Sequence, residues 1–165
     1  MAIIPRLLFV LALVVAPIVV WTTSVPLPAR VATHFARGGI ANGFMSHDGY
    51  VTFMMLMTTL FPLAIVAITG FIPRFALSQI GRRTRDFWLS PEQREATLGW
   101  IASHACSMGV LLTVFLLSIH FLTIQANERT PARLDEHAAL VLVICFVVLL
   151  LVWLGAIALR FARRR

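Results

Sequence analysis

The chain has 165 residues, 59% of them hydrophobic and only 13% charged, with a mean hydropathy of +0.89 and a formal charge of +7. Its 14 basic residues are all arginine, set against 7 acids. A water-soluble domain of this size carries about twice that share of charge, so an ordinary soluble fold and a disordered chain are both excluded. The high isoelectric point does not indicate nucleic acid either, because that reading needs a basic face in water, and here apolar runs dominate.

Leu7 to Ala29 is the first uncharged stretch, and its apolar part ends at Trp21. Tyr50 to Pro73, Ala96 to Gln125 and Ala138 to Leu159 follow. Each is long enough for a spanning helix, and the alternating segments of a barrel are missing. The fold class expected is therefore all-α: a polytopic membrane protein of four transmembrane helices and a folded first outer loop. The helices are expected over about 6–25, 48–72, 91–125 and 136–161, within a single integral membrane domain, 1–165. Arg6 ahead of a short apolar core resembles a signal peptide, but Trp21-Thr22-Thr23-Ser24-Val25-Pro26 offers no small-x-small cleavage site, so a retained anchor is the reading. Pro17 and Pro62 fall inside helices one and two, where a kink or local break is expected.

Orientation follows from the arginines. With both termini cytoplasmic, ten of them (Arg6, Arg74, Arg82, Arg83, Arg85, Arg94, Arg160, Arg163, Arg164, Arg165) lie inside and only Arg30, Arg37, Arg129 and Arg133 outside. Trp88, Trp100 and Trp153 then lie toward the inner interface, and Trp21 and Tyr50 toward the outer one. The bilayer is then the first partner expected, and no nucleic acid is. The first outer loop, 26–49, is rich in turn formers: Pro26, Pro28, Gly38-Gly39, Asn42-Gly43 and Asp48-Gly49. In the basic inner loop, Ser90-Pro91-Glu92-Gln93 reads as a capped helix start, putting the beginning of helix three at Pro91. Thr130-Pro131 or Asp135 is the candidate cap for helix four.

Chemistry is sparse. Cys106 and Cys145 sit at different depths in different spans, so no disulfide is expected. His104 and His120 lie on nearly opposite faces of helix three, and His120 belongs to a stripe at sevenfold spacing, Cys106, Thr113, His120 and Asn127. The stripe reads either as a polar path or groove, or as interhelical hydrogen bonding by small polar residues. On the outer side His34, His47, His120 and His137, with Asp48, Glu136, Met45, Met54 and Met57 nearby, are candidate ligands for zinc or copper. The alternative is separate histidines bonded to loop backbone. His34 and His120 are expected to approach one another in a shared site. Ser103, His104 and Ser107 share a face with no acid, and there is no G-x-S-x-G, H-E-x-x-H or phosphate loop, so no enzyme is expected.

The loop Leu27-Pro28-Ala29-Arg30-Val31-Ala32-Thr33-His34-Phe35, continuing to Gly39, Asn42, Gly43, Phe44 and Ser46, resembles a bacterial membrane family of unknown function. That family shares the N-terminal L-P-x-x-x-x-x-H-F-x-x-x-G module of the SdpI immunity protein. The likeness covers about residues 5–72, with Asn42 where many members carry aspartate; Asp86-Phe87-Trp88-Leu89-Ser90-Pro91-Glu92 is similar to a stretch of its small four-helix subgroup. The resemblance implies a sensor-like or immunity-like role, or a subunit of a larger membrane complex, with a membrane protein or a secreted peptide as partner. The ligand or partner contacts expected are His34, Phe35 and Asn42 in this loop, together with His120 from the stripe on helix three. The rival function is a periplasmic-face metal or small-ligand accessory to transport that uses the four outer histidines.

Overall fold

The structure, a computed structural model, describes residues 3–76, 87, 88 and 90–162. The chain is mostly helical. Helix α1 spans Ile3–Thr23 and leads into strand β1 (Arg30–Phe35) and strand β2 (Ala41–Ser46). Helices α2 (His47–Ala76), α3 (Arg94–Asn127) and α4 (Glu136–Ala162) complete it. All four helices are long and apolar enough to cross a membrane. Helix assignment runs unbroken through Pro17 and Pro62, so neither proline interrupts its span.

Three expectations are corrected. The fold is not purely α, because the loop after α1 forms a two-stranded antiparallel sheet. Its reversal is made by Gly38 and Gly39, whose φ values of +84° and +72° suit glycine. Asn42-Gly43, a turn signal by sequence, lies within β2 beside an irregularity in the register, and Asp48-Gly49 lies in the first turn of α2. Finally, α3 starts at Arg94 rather than Pro91. Residues 91–93 form a turn that feeds the helix, in which the Ser90 carbonyl accepts from the amides of Gln93 (3.0 Å) and Arg94 (2.9 Å). The amide of Glu92 itself, and then the Ser90 hydroxyl, hold the Glu92 carboxyl below its usual value.

The chain divides into two compact units, Met1–Val19 with Met55–Thr113, and Val20–Met54 with Val114–Arg165. In the first, Phe9, Ala16, Ala105 and Met108 are buried, with Thr97, Ser103 and Thr113 as buried hydroxyls. Gly109 is the point of closest approach there: a methyl group on it would collide with the Phe9 ring and with Val66. The Arg6 guanidinium donates to the Gly99 carbonyl (3.2 Å), and Trp100 stacks on His104 with ring centroids 4.5 Å apart. Cys106 and Cys145 are both free thiols.

In the second unit Val20, Leu27, Val31, Ala32, Tyr50, Val51, Met54 and Ile124 are buried. Phe115 stacks on Phe146 at 4.1 Å. Most of α4 stays exposed, including Val141, Ile144, Val148 and Val152, which suits contact with lipid. The start of α4 is capped as expected, with Asp135 Oδ1 accepting from the Ala138 amide at 3.1 Å. That amide, chiefly, holds the Asp135 carboxyl below its usual range; desolvation opposes it, and the His137 amide and the Arg129 guanidinium add to it.

Candidate functional site

The residues with chemistry gather in the second unit, and His120 is the most deeply buried of them, with no exposed surface. Its Nε2 lies 2.8 Å from Thr23 Oγ1 at the end of α1, and its Nδ1 lies 2.8 Å from the Tyr50 hydroxyl in the first turn of α2. The ring stacks on Tyr50 at 5.7 Å with 18° between the planes. A neutral imidazole has one donor and one acceptor, and a hydroxyl serves as either, so both ring nitrogens are satisfied whichever tautomer is present. His120 is therefore a hydrogen-bonded staple joining three helices, which is the interhelical alternative for the stripe. No ring nitrogen remains to bind a metal.

Seven residues further along the same face, Asn127 does something different. Its Oδ1 accepts from the Ala32 amide (2.8 Å), and its Nδ2 donates to the Ala32 carbonyl (2.9 Å) and to the Thr123 carbonyl (2.8 Å). The carboxamide thus completes both backbone bonds on the outer edge of β1, where another strand would otherwise pair.

The hairpin is also held at both ends. At its base, the His47 amide donates to the Ala29 carbonyl (3.0 Å), and His47 Nε2 bonds the Ser24 carbonyl (3.1 Å). At its turn, Gly38 donates to the Glu136 carboxylate (2.7 Å), while Arg133 Nε donates to the Gly38 carbonyl (2.9 Å). The Leu134 amide donates to the Gly39 carbonyl (2.9 Å), and Ile40 forms an isolated antiparallel bridge with Arg133. Gly39 is required here because a Cβ would meet the Leu134 carbonyl.

The predicted histidines do not converge. His34 is exposed, its ring over Gly43 and its Nδ1 3.1 Å from Thr33 Oγ1. His47 pairs with Asp48 (3.1 Å) and with Ser24, and His137 lies exposed at the start of α4. With both His120 nitrogens taken by hydroxyls, His34 and His120 share no ligand site. Among the described residues no three His, Cys, Asp or Glu side chains come together to hold a metal. The imidazoles are held apart by different partners: His120 by the Thr23 and Tyr50 hydroxyls, His47 by Asp48 and the Ser24 carbonyl, and His34 beside the Thr33 hydroxyl.

The other predicted contacts are better placed. Phe35 pairs with Ala41 across the sheet and is half-buried, while Asn42 and His34 are exposed on the hairpin. Sequence reasoning missed Thr23, Tyr50, Arg30 and Phe44. Phe44 is 49% exposed, and the Arg30 guanidinium carbon stands 5.2 Å from its ring centroid, a cation–π pair across the strands. Arg30 and Phe44 are diagonal neighbours in the register, which a correct strand assignment would have revealed. Ser103, His104 and Ser107 do not form a catalytic set: His104 lies against Trp100, and the Ser107 hydroxyl donates to the His104 carbonyl (2.7 Å). No known protein family, curated protein or solved structure matches this chain.

Proposed function

We propose that this is a non-enzymatic, four-span protein of a bacterial inner membrane, with both termini cytoplasmic and the β1–β2 hairpin on the outer face as a receptor surface. On this reading it acts as a sensor-like or immunity-like protein, alone or as a subunit of a larger membrane complex, and its partner approaches from outside the cell. The carrying observation is the hairpin's division of labour. Its backbone is tied down by Asn127, Glu136, Arg133 and His47, while the side chains of His34, Asn42 and Phe44 remain exposed. A surface held rigid and left uncovered gives up little entropy on binding. The arginine asymmetry supports the orientation, since ten of fourteen fall on the segments assigned to the cytoplasm.

The test uses intact cells. In a background with Cys106 and Cys145 replaced, Asn42→Cys is expected to react with a membrane-impermeant maleimide; labelling only after lysis overturns the orientation. A photo-crosslinking residue at position 42 is then expected to capture an exported peptide or protein that the same group at Val143 does not. Identical adducts from both positions overturn the receptor reading.

A further inference from the structure

The hairpin has two long edges, and they are treated differently. On β1 the amide and carbonyl of Ala32 point away from β2 and are closed by the Asn127 carboxamide. Ala32 faces Phe44 in the register. Facing residues of an antiparallel pair either exchange both backbone bonds or neither, so the amide and carbonyl of Phe44 also point outward, from the far side of β2. Among the described residues nothing pairs with them.

That open side has already been started on. Ala36 occupies the β1 side of Ile40, donating to its carbonyl at 2.8 Å, so Arg133 bridges Ile40 from the open side. The segment Arg133–Leu134 is a short third strand that runs antiparallel to β2 toward the turn at Gly39, and it joins the sheet too near the turn to pair with Phe44. Toward Ser46 lies an unpaired edge flanked by an exposed phenyl ring and the Arg30 guanidinium above it, with no acid anywhere from Arg30 to Ser46.

The geometry points to strand addition at this edge: β2 receives an extended acidic peptide segment that continues the third strand from Arg133–Leu134 along Asn42–Ser46. The inference rests on the receptor reading above. Main-chain pairing to Phe44 supplies the affinity, and alternate side chains supply the selection. An apolar side chain opposite Phe44 packs on its ring, and a carboxylate two places away, on the same face, meets the Arg30 guanidinium. A second copy of the hairpin is a poorer occupant, since it brings a second Arg30 to the same edge.

The experiment uses the full chain in neutral-lipid nanodiscs and two synthetic peptides, one repeating Val-Ser-Glu-Ser and one repeating Val-Ser-Lys-Ser, so that valine and the charged residue share a face. The glutamate peptide is expected to bind and to slow hydrogen exchange at the Phe44 amide, and the lysine peptide is not. Phe44→Pro deletes the outward amide without touching the bonds to β1, so it is expected to abolish binding while the Met45 amide keeps its protection. Phe44→Ala retains the amide and is expected only to weaken binding. Arg30→Glu is expected to cost the glutamate peptide about tenfold in affinity, equivalent to 1.4 kcal/mol. Binding that survives Phe44→Pro, or that leaves the Phe44 amide exchanging freely, overturns strand addition. So does protection of that amide without peptide in a dimer, which would make the occupant a second copy, or protection by anionic vesicles alone, which would make it lipid. In each of those cases the in-cell crosslink from position 42 separates the two ideas: if it persists, the receptor surface stands and only its mode of pairing falls.

Discussion

Asn127 closes a two-way bond with the backbone of Ala32, 95 positions earlier in the chain, accepting from its amide and donating to its carbonyl. A side chain at the end of a spanning helix thereby holds a strand in place. Asn127→Ala leaves both backbone groups of a fully buried residue without partners, and about 1–3 kcal/mol of stability is expected to be lost. Asn127→Asp keeps the acceptor but sets a carboxylate against the Ala32 carbonyl, so it is not expected to rescue. Denaturant unfolding in mild detergent measures both.

The Tyr50–His120 bond lends itself to a double-mutant cycle with Tyr50→Phe and His120→Phe. Side-chain hydrogen bonds inside membrane proteins couple by about 0.6 kcal/mol on average, reaching about 1.7. A coupling in that range is expected here, since the two rings also stack. A value of zero would mean the staple carries no net energy.

Gly38 and Gly39 share a left-handed backbone but not a neighbourhood. Alanine at Gly38 meets open space and is expected to cost about 1–2 kcal/mol through its φ alone. Alanine at Gly39 adds a collision with the Leu134 carbonyl, so it is expected to destabilise more and to speed exchange of the Leu134 amide. Equal losses at the two positions would contradict this arrangement.

At Gly109 the prediction is a rescue. Gly109→Val is expected to destabilise strongly because the added carbons enter space held by Phe9 and Val66. Combining it with Phe9→Ala is expected to recover part of the loss, as thermal unfolding of the purified chain would register.

The pH dependence lies at the start of α4. The Asp135 carboxyl titrates below its ordinary value, so its contribution is present above the unfolded carboxyl's pKa of about 3.9 and is lost as pH falls through the lower folded value. The Ala138 amide resonance is expected to follow that titration, with a midpoint below that of a free aspartate. Asp135→Asn is expected to flatten the curve. A midpoint at or above the free value contradicts the cap.

The spans were legible because apolar length is a bulk property that no partner choice alters. The hairpin was not, for three reasons. Its strands have six residues each, β2 carries Asn42-Gly43 in its middle, and its support comes from Asn127 far along the chain. The stripe of Thr113, His120 and Asn127 was visible as a spacing, but spacing names a face and not what the face meets. Tyr50, the single tyrosine, and Thr23 became its partners only through the register of three helices. The expected approach of His34 to His120 was not met for a related reason: imidazoles close in topology bond to different partners.

Strand β2 ends at Ser46 and α2 begins at His47, and no loop residue separates the two. A load applied along the strand is handed to the first turn of the helix without slack, and that turn carries Tyr50, three residues on. The hairpin and the His120 staple are in this sense a handle and its shaft.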